Sequence, residues 1–208
     1  MQFDQVVLAG GGNRCWWQAG FWHVLNEHIP QQPKRIVAIS AGAATACLLY
    51  ARPGQEGAQW GLDYYAKALA DVHQNANWGN LFSSEPVFPH HRLYRAALTN
   101  MLGEGFTRLK TAPEIMVGLA QIPPWLGPKS AVALGLAIYN LEKYFQKSLH
   151  PVLGKKLGFQ RIFVPAQACQ DLGELVELIL QSSCTPPFTP VMRRNGLTVL
   201  DGGLVDNV

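Results

Sequence analysis

The first fifty residues alternate between short apolar runs and turns that contain glycine or serine. The run Gln5–Ala9 predicts a buried strand that stops at three glycines, and Arg35–Ile39 predicts a second strand. Apolar residues at helical spacing predict a helix over Trp16–His28, and a run rich in alanine and leucine predicts another over Ala41–Tyr50. A strand-helix-strand unit this short implies parallel strands joined by a right-handed crossover, so the pattern predicts the α/β class.

The stretch 54–158 lacks such a simple pattern. Seven prolines divide it into short pieces, so we expect it to be helical and irregular, a variable insertion within one domain that spans residues 1–208. Apolar and β-branched residues return at Arg161–Val164, which predicts a strand.

Two local signals mark the last forty residues. Asp171 followed by Glu174 resembles a capping box ahead of helically spaced apolar residues. Asn195-Gly196 lies between two short strand-like runs and predicts a hairpin turn. The second hairpin strand, Leu197–Leu200, leads directly to Asp201, so this carboxylate is expected at the end of a strand.

The composition favours a folded domain. Hydrophobic residues make up 48% and charged residues 15%, which excludes disorder for most of the chain, and a net charge of +3 is too small to indicate nucleic acid. No apolar run reaches the roughly 20 residues of a membrane span, and the N-terminus does not resemble a signal peptide. The four cysteines have no metal-binding spacing. We expect a cytoplasmic protein with free, mostly buried thiols and without a metal or other cofactor.

Positive charge is concentrated in one part of the chain. Residues 92–161 hold ten Lys or Arg and three acids, a net charge of +7. The same stretch contains the apolar segments Ile122–Leu126 and Ala131–Tyr139. Basic groups beside such segments are typical of a surface that docks on anionic lipid, so peripheral membrane contact is one interpretation. The other is a solvated face over ordinary core helices.

A serine stands between the second predicted strand and the helix that follows it. Ser40 is flanked by Ala38, Ala41 and Gly42, and a nucleophile elbow requires small neighbours because its turn is very tight. The helix that begins behind Ser40 would also direct free N–H groups toward an oxyanion formed there. The alternative is a serine that merely caps the helix.

Three consecutive glycines, Gly10, Gly11 and Gly12, follow the first predicted strand. Their backbone N–H groups can point into one pocket and bind an anion. A dinucleotide-dependent reductase is disfavoured, because Cys15 replaces the third glycine of that fingerprint and no acid ends the second strand. The loop is therefore interpreted as an oxyanion hole, with Arg14 fixing its shape.

The segment Asp201-Gly202-Gly203 presents a carboxylate with no bulky neighbours after it, although a structural turn would have the same sequence. None of the six histidines follows Asp201, which excludes the serine-acid-histidine order of α/β-hydrolases. His90 and His91 are expected to be loop residues rather than catalytic ones. What remains is a carboxylate that acts directly on the serine as its base.

Three motifs in this order, Leu8–Arg14, Ala38–Gly42 and Asp201–Asn207, resemble those of bacterial patatin-like phospholipases. The resemblance implies a three-layer α/β/α fold with a mainly parallel central sheet. It also implies a serine acyl hydrolase whose substrate is a phospholipid or another acyl ester, with Ser40 as nucleophile and Asp201 as base. The oxyanion hole would come from Gly10, Gly11, Gly12 and Ala41, with Arg14, Gly42, Gly202 and Gly203 in supporting positions.

The resemblance is firm over about 5–50 and 160–208 and weak between these segments. Cys15 and Ala38 stand where the family usually has glycine. The family continues past its Asp-Gly-Gly segment, so we expect a chain that ends at Val208 to lack the C-terminal part of the domain. The alternative from another functional class is a non-catalytic lipid-binding or scaffolding protein with a degenerate site.

Overall fold

The computed structural model describes residues 2–70, 88–123, 125–127, 156–186 and 188–207, together with positions 130, 133 and 137. Within these residues, six strands form one mixed sheet. The strands are β1 (Gln5–Leu8), β2 (Arg35–Ile39), β3 (Glu114–Gln121), β4 (Gln160–Pro165), β5 (Met192–Arg194) and β6 (Leu197–Asp201). Strands β1, β2 and β3 are parallel neighbours, whereas β4 and β6 pair with β3, and β5 with β6, in antiparallel orientation.

Helices pack against this sheet. They include α1 (Cys15–His28), α2 (Ala41–Ala51), α3 (Gln55–Leu69), α4 (His90–Gly103), α5 (Phe106–Leu109) and α6 (Leu172–Ser182). Short 3₁₀ turns follow β1, β4 and β6, at Gly12–Arg14, Ala166–Ala168 and Gly202–Leu204. The predicted α/β class is confirmed, and the sheet is parallel at its core.

The core lies between one face of the sheet and helices α2, α4 and α6. Ile36 of β2 and Ile115, Val117 and Leu119 of β3 are all essentially inaccessible to solvent. Helix α2 is apolar on nearly all sides, and eight of its 11 residues are buried, as expected for a helix enclosed by other elements. The turn that precedes α2 is therefore held in a rigid part of the molecule.

One expectation about the middle of the chain was wrong. The segment Glu114–Gln121 was predicted to belong to a helical and irregular stretch, but it forms β3, which pairs with β2, β4 and β6. A strand buried on both faces shows no alternation of polar and apolar residues, so its periodicity cannot be distinguished from that of a buried helix. The apolar run 131–139 lies outside the described residues except at positions 133 and 137.

The local signals near the C-terminal end are confirmed. Asp171 Oδ1 accepts a hydrogen bond from the backbone N–H of Glu174 at 2.9 Å, which caps α6. The Glu174 carboxylate in turn accepts from the N–H of Gln170 at 2.7 Å. Asn195 and Gly196 join β5 to β6 with φ values of 50° and 79°, the signs that a two-residue type I′ hairpin turn requires.

Candidate active site

One edge of β3 brings two strand ends together. Strand β2 runs parallel to β3, and its last residue, Ile39, pairs with Gly118; strand β6 runs antiparallel, and its last residue, Asp201, pairs with Leu119. Because β4 occupies the opposite edge of β3, the carboxyl ends of β2 and β6 meet on the shared edge. The residue after β2 is Ser40, so this serine and the carboxylate of Asp201 lie side by side although they are far apart in the sequence.

Ser40 occupies a tight turn between β2 and α2. Its backbone has φ 55° and ψ −129°, a conformation that residues other than glycine adopt only where the surrounding structure enforces it. Its side chain makes no capping hydrogen bond to α2, which excludes the capping interpretation. Gly42 has to be glycine, because a Cβ there would stand 2.2 Å from the carbonyl oxygen of Leu8. The turn has the geometry of a nucleophile elbow.

The carboxyl group of Asp201 interacts with the hydroxyl of Ser40. The Ser40 hydroxyl lies close enough to the carboxyl of Asp201 to lower its pKa, and the N–H of Gly203 donates to Asp201 Oδ1 at 2.8 Å. Burial raises the pKa of Asp201 from 3.8 to about 6, and the nearby Ser40 hydroxyl and the N–H of Gly203 oppose that rise. A carboxylate with a raised pKa binds a proton more readily and is still ionised at neutral pH, which suits a general base.

The glycine loop faces the same site. The N–H groups of Gly11, Gly12 and Ala41 have no hydrogen-bond partner within the described residues. Gly10 differs, because its N–H donates to Asn207 Oδ1 at 2.9 Å and its carbonyl accepts from Asn207 Nδ2 at 3.3 Å. The prediction that Gly10 is an oxyanion donor is corrected accordingly, since its N–H is already engaged. No role had been predicted for Asn207, although it lies in the third motif.

The end of α6 and the residues that follow it form hydrogen bonds with both Ser40 and Asp201. Ser182 Oγ accepts from the N–H of Ser40 at 2.8 Å and donates to the carbonyl oxygen of Gly118 at 2.6 Å. Two residues further on, the carbonyl oxygen of Cys184 accepts from the N–H of Asp201 at 2.8 Å. A serine at the end of a helix is too common in sequences to have predicted this bridging role.

Arg14 and Cys15 pack around the glycine loop. Arg14 donates to the carbonyl oxygen of Gly11 from both its backbone N–H and its Nε, each at 3.3 Å, which is the contact expected of a residue that fixes the loop. Cys15 is buried, and its Sγ donates to the carbonyl oxygen of Ala9 at 3.4 Å. Burial raises the pKa of Cys15 to about 11, so its thiol stays neutral at physiological pH.

Two cavities open beside Ser40 and Asp201. The first, here called the loop cavity, has a volume of about 270 Å³ and is lined by the glycine loop, Arg14, Gly203 and Asn207. The second, here called the helix cavity, has a volume of about 360 Å³. Residues from α1 to α4 line the helix cavity, among them Trp16, Leu48, Tyr65, Tyr94 and Met101. A substrate whose reacting atom lies at Ser40 can therefore extend in two directions.

Gly202 packs against β3, and the two histidines line the helix cavity. Gly202 packs directly behind the site, and a Cβ there would stand 2.5 Å from the carbonyl oxygen of Gly118. His90 and His91 were expected in a loop, but they begin α4 and line the helix cavity. In the described residues, no cluster of three His, Cys, Asp or Glu side chains is placed to hold a metal ion.

The structure describes part of the basic stretch 92–161. Several of its cations have internal partners: Arg95 pairs with Glu177, Arg161 pairs with Asp206, and Lys110 donates to carbonyl oxygens. Two of the cations described there, Arg95 and Arg161, are therefore neutralised by neighbouring acids. Among the described helices, none has the length and apolar character needed to cross a bilayer.

A mixed α/β sheet that presents a serine in a strained turn, a partly buried carboxylate and a glycine loop has the arrangement found in serine hydrolases. The family model described as patatin-like phospholipase matches residues 6–208. The chain therefore belongs to the patatin-like phospholipase family, as the three sequence motifs predicted. No curated protein matched the chain. Membership of this family supports lipid hydrolysis as the general activity.

Proposed function

We propose that the protein is a serine hydrolase that cleaves acyl esters of lipids with a Ser40–Asp201 dyad. The observation that carries the proposal is that the Ser40 hydroxyl lies next to the partly buried carboxyl of Asp201, at a turn whose strained φ holds the serine beside two cavities. A serine hydroxyl is a weak nucleophile on its own, and an adjacent base that takes its proton activates it.

The reaction would proceed in two halves. Asp201 accepts the hydroxyl proton while Ser40 Oγ attacks the ester carbonyl carbon, and the alcohol then leaves with the proton from Asp201. Water attacks the resulting acyl-enzyme, Asp201 again takes and returns a proton, and the free acid departs from a regenerated Ser40. The N–H groups of Gly11, Gly12 and Ala41 would bind the oxyanion, and removing one such donor typically costs about 10² to 10³ in rate.

The two cavities suggest how a phospholipid would be oriented. Arg14 lines the loop cavity and supplies a positive charge there, which suits a phosphate on the alcohol side of the ester. The helix cavity is lined by Trp16, Leu48 and Met101 and suits the acyl chain. Peripheral contact with anionic membrane and a cytoplasmic location stay predictions. Trp125, whose side chain is 69% exposed, is an apolar group that could contact such a membrane.

The proposal is tested with phospholipid vesicles and a serine-directed fluorophosphonate. Ser40→Ala should abolish both fatty-acid release and covalent labelling, and Asp201→Asn should abolish fatty-acid release, with the circular dichroism spectrum of each variant kept. Asp63→Asn removes an exposed carboxylate bonded to Gln59 on α3 and should behave as wild type. Labelling that persists in Ser40→Ala would remove Ser40 from the mechanism. A folded wild type that is neither labelled nor active would favour the lipid-binding or scaffolding alternative.

A further inference from the structure

The wall of the helix cavity contains an unusual set of polar atoms. Three buried side-chain atoms of the described residues have no hydrogen-bond partner: His91 Nδ1, Tyr94 Oη and Ser183 Oγ. All three residues line the helix cavity. Buried polar groups are normally paired, because an unpaired one loses its hydration without compensation. Three such atoms around one cavity next to a candidate nucleophile indicate that a ligand completes their bonding.

The three groups come from two neighbouring elements that line the cavity. His91 and Tyr94 are three residues apart on α4 and so lie on one face of that helix, and Ser183 follows α6. Tyr94 and Ser183 are near enough for the Ser183 hydroxyl to lower the pKa of Tyr94, but their hydroxyls are not aligned as a hydrogen bond. Asp201 also influences the pKa of Tyr94 electrostatically, so the phenol lies close to the reacting centre.

These polar groups carry no charge at neutral pH. Burial, and then the Arg95 cation, lower the pKa of His91, and Glu177 opposes them only in part. Burial raises the pKa of Tyr94 far above neutrality. No Lys or Arg of the described residues lines the helix cavity, in contrast to Arg14 in the loop cavity. An anionic group placed here would have no counter-charge, so the ligand atom that fits is a neutral oxygen.

Most of the remaining wall of the helix cavity is apolar, and the volume of the cavity is limited. Trp16, Leu48 and Met101 contribute to its lining, and they suit a hydrocarbon chain. A volume of about 360 Å³ accommodates about a dozen water-sized groups of about 30 Å³ each. An acyl chain of about ten carbons with one oxygen substituent therefore matches both the size and the polarity of the helix cavity.

We propose that the helix cavity is an acyl subsite that selects chains bearing a neutral hydroxyl or oxo group over plain alkyl chains of the same length. Tyr94 and Ser183 would bind the substituent between their two hydroxyls, and His91 would add a third contact. This selectivity rests on the proposed function, because it requires that Ser40 attack the ester carbonyl while the chain occupies the helix cavity.

The test compares four p-nitrophenyl esters: decanoyl, and decanoyl with a hydroxyl at carbon 3, 7 or 9. For at least one hydroxyl position, kcat/KM should exceed that of the plain ester about tenfold, the gain expected from one well-placed hydrogen bond. Tyr94→Phe and Ser183→Ala should each bring the ratio for that position close to one. Tyr50→Phe removes the hydroxyl of a tyrosine on α2 that does not line the helix cavity, and it should leave the ratio unchanged.

A second measurement does not depend on catalysis. If the hydroxyls of Tyr94 and Ser183 have no partner in the free protein, Tyr94→Phe and Ser183→Ala should not lower the urea midpoint of unfolding. A clear loss of stability in both variants would show that protein groups already satisfy them and would overturn the inference. A kcat/KM ratio near one at every position would also overturn it and leave the proposed function standing. If none of the four esters were cleaved, that result would contradict both the proposed function and the inferred selectivity.

Discussion

Replacing the partly buried carboxyl of Asp201 by an amide should stabilise the protein although it abolishes activity. The pKa of Asp201 is 3.8 when exposed and about 6 in the folded protein, chiefly because burial disfavours the charged form. A raised folded-state pKa means that ionising this group costs the folded state free energy. The cost is absent below about pH 4, grows as the pH rises toward 6, and is complete above it. Asp201→Asn has the same shape and never ionises.

The magnitude follows from the size of the pKa shift. A rise from 3.8 to about 6 corresponds to about 3 kcal/mol of unfolding free energy when the group is fully ionised. Because Asp201 lines two cavities that open to solvent, water reduces the penalty, and this figure is an upper limit. Relative to wild type, Asp201→Asn should therefore gain about 2 to 3 kcal/mol of stability between about pH 4 and pH 7.5.

The assay is urea denaturation of wild type and variant at a series of pH values in one buffer system. The informative quantity is the difference in unfolding free energy at each pH, because every other titrating group is common to both proteins. Asp63→Asn controls for the loss of one negative charge at an exposed position. A difference that does not change with pH, or that falls as the pH rises, would refute the assignment of Asp201 as a buried carboxyl with a raised pKa.

Three further predictions concern the same site. Because the base must be ionised, kcat/KM should rise about tenfold per pH unit below about pH 6 and level off above it, as Asp201 titrates; a pH–rate profile that is flat from 4 to 7 would contradict this. Ser182→Ala breaks two buried hydrogen bonds and should cost about 1 to 3 kcal/mol in urea unfolding, whereas the neighbouring Ser183→Ala should cost nothing. Gly202→Ala forces a Cβ to 2.5 Å from a carbonyl oxygen and should lower the free energy of unfolding in urea by about 1 to 3 kcal/mol. Gly20→Ala in α1 is the control, because a Cβ there meets no atom within 4 Å. This control variant should be more stable than wild type by up to about 1 kcal/mol.

The parts of the fold that the sequence predicted are those with short-range signals. Strand β2 and helix α2 are separated only by Ser40, and both were predicted to within a residue of their observed ends. The hairpin that ends at Asp201 followed from Asn195-Gly196, because only a few residues tolerate positive φ at two successive positions. In each case the information lies within about ten residues, where local sterics and hydrogen bonds determine the conformation.

The parts that the sequence did not predict depend on contacts across the molecule. Nothing near His91 or Tyr94 indicates that one face of their helix lines a cavity beside Asp201. The pairing of Asn207 with Gly10 joins opposite ends of the chain, and asparagine is common at turns for other reasons. The placement of these side chains depends on tertiary packing, which cannot be derived from the local pattern of a single sequence.

The contacts of Gly118 in β3 show why the sequence motifs alone could not place Ser40 and Asp201 next to each other. Ile39 pairs with Gly118 and Asp201 with the residue after it, the hydroxyl of Ser182 donates to the Gly118 carbonyl, and Gly202 packs against that same carbonyl. The segments that carry Ser40 and Asp201 and the end of α6 are therefore all positioned by contacts with the same short part of β3, at Gly118 and the residue after it. The motifs alone establish that a serine and an aspartate exist at strand ends. Their distance from each other is set by the register of a strand that contributes no chemistry, so an error of one residue in that pairing would separate the two groups.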